Sequence, residues 1–240
     1  EAEPGDNAVQ TIAADAWMIY AIHSGQEQHH LRAKALLERV LARHPDYSPA
    51  IHFYIHVTEM TGDAGLAERF ADRLPVLAPA ASHLVHMPSH TYYRIGRYQD
   101  AADFNKQAVE IGIADAARMG LQPHEVWNLA YHGHNVHFGV GGALISGDEE
   151  TALLLGRQVL TAMAGFGEGA PPVFLQMVTG TALFAEGRFG DPAAMLATEE
   201  PPEGWTYIRA YWRYARGEAA ARTGDRSEER RVGKECRSRW

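Results

Sequence analysis

The chain has 240 residues, of which 22 are Lys or Arg, 30 are Asp or Glu and 13 are His, for a formal net charge of −8. An acidic chain without a basic stripe excludes a nucleic-acid partner, and no apolar run approaches the ~18 residues a membrane span needs. The one cysteine, Cys236, stands in an aberrant tail, so disulfide, cysteine–zinc and thiol-nucleophile chemistry are set aside.

Taken in chain order, the first residue is Glu rather than Met, with no charged-then-apolar leader before it. The start is therefore expected to be missing or processed, and the compartment stays open between cytoplasmic and periplasmic or exported. From Leu31 to Leu41, and again from Ala101 to Ile113, apolar residues recur at three- and four-residue steps, which predicts amphipathic helices. Period-two alternation is absent from nearly the whole chain, so strands are not expected. Short turns are predicted at Gly25, Gly62-Asp63, Gly96-Arg97, Gly147-Asp148, Gly187-Arg188 and Gly224-Asp225. Gly62 and Gly96 are 34 residues apart, as are Pro45 and Pro79, whereas Gly96 and Gly147 are 51 apart. Phe166 to Pro172 reads as a turn-rich connector. Trp205, Tyr207, Tyr211, Trp212 and Tyr214 form an aromatic stripe expected to pack into a core. Residues 226–240 lack any apolar period and resemble the in-frame translation of a sequencing adapter, a non-native tail. Without their six basic and three acidic residues, 16 basic and 27 acidic remain, a net charge of −11.

Thirty-four residues is the period of the tetratricopeptide repeat, a helix–turn–helix unit that buries its apolar face only by stacking on its neighbours. The segment Tyr92…Gly96-x-Tyr98-x-x-Ala101…Ala108 resembles that repeat, with Gly62-Asp63, Ala67, Leu74 and Pro79 at matching places one unit earlier. The expectation is an all-α, right-handed α-solenoid of about five or six stacked antiparallel helix pairs, a single domain over 1–225 and part of a longer chain.

The histidines follow this register. With each turn glycine numbered 15, His83 and His134 fall at position 2, His52, His86 and His137 at position 5, and His56 and His90 at position 9; Glu59 is at position 12. Helical steps of three and four place such residues on one face. The tetratricopeptide resemblance implies that these positions line a concave groove. Pro88 either kinks the helix that carries His83 to His90 or starts a new one, with His83 and His86 then on an entering loop.

Three readings of this histidine-lined groove compete. His52, His56, His86, His90 and His137 are the candidate ligands of a divalent metal such as zinc. Imidazoles with Glu59 are also suited to acid–base work on a metal-bound water, as in a metal-assisted hydrolase. The third reading is a structural groove, with histidines bonded to neighbours such as Tyr54, Tyr93 and Asn135, that takes a peptide or partner helix. The favoured function is a binding protein for a metal ion or small polar ligand, through His52, His56, Glu59, His83, His86, His90, Tyr93, His134, Asn135 and His137. The pair His29-His30 is expected at a solvated helix start, His44-Pro45 in a turn and His124 at an exposed helix start.

Three segments further resemble one bacterial family of tetratricopeptide proteins: His52-Phe-Tyr-Ile-His56-x-x-Glu59, His83-Leu-Val-His-Met-Pro-Ser-His90-x-Tyr-x-Arg-x-Gly-x-Tyr98, and Tyr131-x-x-His134-Asn-x-His137-Phe138. Gly133 stands where that family usually has a proline. This likeness supports the fold and the residue set and implies no reaction.

Overall fold

A computed structural model describes residues 5–165 and 169–224. The basic tail from 226 and its Cys236 lie outside the described residues, as do residues 166–168 of the connector. Every regular element among the described residues is a helix, and none of these helices is long and apolar enough to cross a membrane. The helices gather into two compact units, Glu1–Ala114 and Asp115–Trp240.

The first unit holds α1 (Asn7–Ser24), α2 (Gln28–Arg43), α3 (Ser48–Met60), α4 (Glu68–Ala71), α5 (Leu74–Leu77), α6 (Ser82–His86), α7 (Pro88–Ile95) and most of α8 (Tyr98–Arg118). Helix α1 packs on α2, α2 on α3, and α3 on α7. The pairing follows from the spacing of apolar residues. Ala33, Leu36, Leu37, Val40 and Leu41 make one buried stripe of α2, and Ala50, Ile51, Tyr54, Ile55 and Thr58 make one of α3. Each buried Leu or Ile contributes about 1.5–3 kcal/mol relative to exposure. Ala67 and Ala101, one 34-residue period apart, are both fully buried, as small residues must be where helices approach closely.

The turn at Gly96 shows why that position is glycine. It caps α7 at φ 84°, a left-handed conformation that L side chains resist. Next to it, Arg97 donates to Glu68 (3.0 Å), Asp72 (2.8 Å) and Asp100 (2.7 Å). Its guanidinium also lies 4.1 Å from the centroid of the fully buried Tyr92 ring, whose hydroxyl donates to Asp72 at 2.7 Å.

The second unit contains a 3-10 turn at Pro123–Asn128, then α9 (His132–Ser146), α10 (Glu149–Ala164), α11 (Val173–Phe189), α12 (Pro192–Ala197) and α13 (Thr206–Thr223). Helix α9 packs on α10, α10 on α11, and α11 on α13. Two expectations are corrected in this unit. Gly187 is not in a turn: it lies inside α11, where that helix comes closest to Ala215 of α13. The aromatic stripe is only partly core, since Tyr207 and Tyr214 are about half exposed (47% and 53%) while Phe184 packs edge-on to Tyr211 and Tyr214.

Candidate metal centre

Helix α3 projects His52, His56 and Glu59 at steps of four and three, on a half-buried stripe beside its core stripe. Across from it, α6 supplies His83 and His86, and α7 supplies His90. Proline decides how these two short helices meet. Pro88 has no N–H to continue the ladder, so α6 stops at His86 and α7 begins at Pro88, where a proline fits the first turn. His83 and His86 therefore stand on a short helix rather than on an entering loop. Met87 between them keeps helical dihedrals (φ −50°, ψ −38°), which leaves His86 and His90 one turn apart.

The six residues converge. His52 Nε2 and His83 Nε2 are 3.1 Å apart, as are His86 Nε2 and His90 Nε2. The His56 ring centroid is 4.8 Å from that of His90 and 5.0 Å from that of His52. Donor atoms of His52, His56 and His83 all lie within 4.8 Å of one another, and so do those of His56, Glu59 and His90. His56 and His90, which share position 9, thus lie close together, and His52 of position 5 is bonded to His83 of position 2.

Hydrogen-bond accounting identifies the protonated nitrogens of His86 and His90. The Asn105 amide donates from Nδ2 to the Ala101 carbonyl at 2.7 Å, which turns its Oδ1 toward His86 Nδ1, 2.6 Å away. An amide oxygen only accepts, so His86 Nδ1 carries the proton. The Ser89 hydroxyl agrees, since it donates to the His86 carbonyl at 2.7 Å and offers Nδ1 only a lone pair at 3.4 Å. On the other ring, His90 Nδ1 sits 2.8 Å from Glu59 Oε2, and Arg94 Nε donates to Glu59 Oε1 at 3.0 Å. Burial pulls the Glu59 carboxyl upward, but His90 and Arg94 outweigh it and hold the group below the usual carboxylate range. Glu59 is therefore an acceptor, and His90 Nδ1 also carries its proton. When both rings are neutral, the two Nε2 atoms 3.1 Å apart are both lone-pair nitrogens. A cation held by both, either a proton or a metal ion, offsets the repulsion between facing lone pairs. A half-buried carboxylate and a buried amide holding the far nitrogens of two imidazoles is the outer-shell pattern of histidine–metal sites.

Burial, with the neighbouring His90, pushes His52 down to about 4. Burial, with His52 and His90, pushes His83 to the same value. Both rings are thus neutral at pH 7 and available as ligands.

Tyr93 is half buried and edge-on to Tyr98 at 5.9 Å; burial, then Tyr98, raises its phenol above the ordinary value. His134, Asn135 and His137 stand on α9 in the second unit. The His134 ring lies 4.6 Å from that of Phe138, and Asn135 is fully buried. His137 Nε2 is 3.1 Å from the Thr181 hydroxyl, which itself donates to Met177. That leaves His137 Nε2 the donor of the pair and its Nδ1 the lone-pair nitrogen.

Two histidines differ from expectation. His29 is not solvated: it is 7% exposed, stacked 4.9 Å from Trp17, and bonded to Gln26 Oε1 at 3.0 Å. His132, which no repeat column picks out, is 3% exposed, and neither ring nitrogen has a partner among the described residues. It packs edge-on to Trp127 at 5.0 Å, just after Tyr131, whose φ of 70° starts α9. Burial pushes its pKa from 6.5 to about 4. The folded state therefore binds fewer protons than the unfolded state below pH 6.5. Its contribution is complete above 6.5 and is lost as pH falls toward 4, on the order of 3 kcal/mol. In thermal melts at pH 7 and 5, His132→Leu should lose less stability than the unaltered chain. An equal loss in both would show that His132 is not a source of acid sensitivity. His44 and His124 are exposed, as expected.

No protein-family model matches the chain, and no curated protein matches it either. The chemistry of the site has to be argued from its own geometry.

Proposed function

We propose that this chain is a tetratricopeptide-like helical-repeat protein, an α-solenoid, that binds a divalent transition-metal ion, zinc foremost, on the histidine-lined face of its first unit. The repeat reading is supported by packed helix pairs, left-handed glycines at Gly62 and Gly96, and buried alanines one period apart. One observation carries the metal reading: His86 Nε2 and His90 Nε2 face each other at 3.1 Å with both Nδ1 protons already committed. Two nitrogens bound to one ion at 2.0–2.1 Å stand about 2.9 Å apart along an octahedral edge and about 3.3 Å apart along a tetrahedral one. The observed separation lies between these values, so the spacing of the two nitrogens suits a shared ion. Imidazole donors without thiolates favour zinc, copper or nickel over magnesium or calcium.

The test is zinc titration of untagged, metal-stripped protein against a chromophoric chelator. Stoichiometric uptake is expected, and it should disappear at the His86/His90 position when both are changed to Ala with the helical circular dichroism retained. Absence of uptake, or equal uptake in the double variant, would sink the metal reading. The second reading is a partner helix, favoured by Val173, Phe174 and Met177, which expose an apolar face at the start of α11.

A further inference from the structure

The geometry points to two metal positions in the cluster, the second formed by His52, His56 and His83; this rests on the metal-binding reading given above. Three observations carry it. First, the His52 and His83 Nε2 atoms are 3.1 Å apart, the same coordination-edge spacing found between His86 and His90. Second, a third imidazole is within reach, since the donor atoms of His52, His56 and His83 lie within 4.8 Å of one another. Three nitrogen ligands and an open position form a common zinc set.

Third, the donors divide into groups. The donor atoms of one group lie within 4.8 Å of one another, and ligands of one ion within twice the bond length, about 4.2 Å, so a group needs only a small closure to hold an ion. His52 and His83 group with His56; His90 groups with His56 and Glu59 and, in another group, with His86. The His52/His83 pair thus falls in a group with neither His86 nor His90, and His56 is the member that it shares with a group of His90. A neutral imidazole has one lone pair, so His56 serves one ion at a time. With His56 committed to the second ion, the first keeps His86 and His90, whose outer partners Asn105 and Glu59 are already in place. Both positions offer neutral imidazoles, and two nearby divalent ions repel each other. Whichever position fills second therefore binds its ion more weakly than it would alone.

The experiment measures zinc per chain by chelator competition and elemental analysis on the untagged full chain. Two zinc ions per chain are expected, bound in two steps at least 10-fold apart in affinity. His83→Ala should retain one ion, at His86 and His90. His86→Ala should also retain one ion, at His52, His56 and His83. A single ion in the unaltered protein, lost on His86→Ala and kept on His83→Ala, would overturn the second position and leave the first intact. No zinc at all would overturn both. Two ions remaining in His83→Ala would also overturn the assignment. If His83→Ala fails to fold, His52→Gln supplies the same readout, with loss of one ion expected and retention of both overturning the proposal.

Discussion

Glu59→Gln is expected to weaken zinc binding 10- to 100-fold while leaving the helices intact. The carboxylate accepts from His90 Nδ1 and is clamped from its other side by Arg94. It thereby holds the His90 proton on the far nitrogen and keeps Nε2 bare. Glutamine has the same shape, but its amide can present N–H to His90, which reverses the tautomer and places a proton where the ion would sit. It also removes the negative charge that raises the basicity of the ring. Changes to such outer partners typically cost 10–100-fold in metal affinity. Because Glu59 is half buried on α3 rather than part of its core stripe, the melting temperature should change little. Chelator competition measures the affinity and circular dichroism the fold. Unchanged affinity in Glu59→Gln would mean that the His90 tautomer is set by something else. His90→Ala, which removes a ligand outright, should cost more than Glu59→Gln.

Gly187→Ala should destabilise the second unit by about 1–2 kcal/mol, the upper part of the ~1–3 kcal/mol cost of overpacking a well-filled core less the helix-propensity gain. A Cβ at this position would stand 2.7 Å from Ala215 Cα and 2.9 Å from both Ala215 Cβ and its carbonyl oxygen. These are atoms of another helix backbone, so relief requires α11 and α13 to separate along their shared seam. Helix propensity runs the other way, since alanine is favoured over glycine by about 1 kcal/mol in a helix interior. The steric effect is the larger of the two. Gly156 supplies the control: it is also inside a helix and also opposite an alanine, but its added Cβ would meet Ala182 at 3.5–3.6 Å, an ordinary contact. Gly156→Ala should therefore be neutral or slightly stabilising. Urea melts of the two variants decide the matter, and equal midpoints would show that the seam at Gly187 is looser than described.

These two glycines also mark what local sequence can tell. Gly96-Arg97 and Gly187-Arg188 read alike, yet one caps a helix at positive φ and the other sits inside one. Glycine is selected both by left-handed backbone and by close helix approach, and only the neighbouring helix separates the two causes. The histidines behave in the same way. The 34-residue register brings His56 to His90, because a periodic sequence repeats its faces. It does not by itself name the hydrogen-bonding partner of His52, which is His83, because His83 and His86 stand one turn apart on the same short helix and only the packing of that helix on α3 decides between them. Burial of His29 and His132 is invisible to periodicity, since it depends on Trp17 and Trp127 packing over them.

The sequence by itself determined that the chain is helical, that its helices pair through apolar stripes with left-handed glycines at most of the turns, and that His52, His56, Glu59, His83, His86 and His90 share a region. All of these follow from spacing along the chain, which sets the face a side chain occupies. Tertiary structure alone decided which nitrogens meet. The Ala101 carbonyl orients Asn105, Asn105 sets the His86 tautomer, and Glu59 sets that of His90. The last two contacts join residues 19 and 31 positions apart, across helices whose approach no local pattern encodes. A lone pair is directed by its ring's partners, and those partners exist only once the helices have packed.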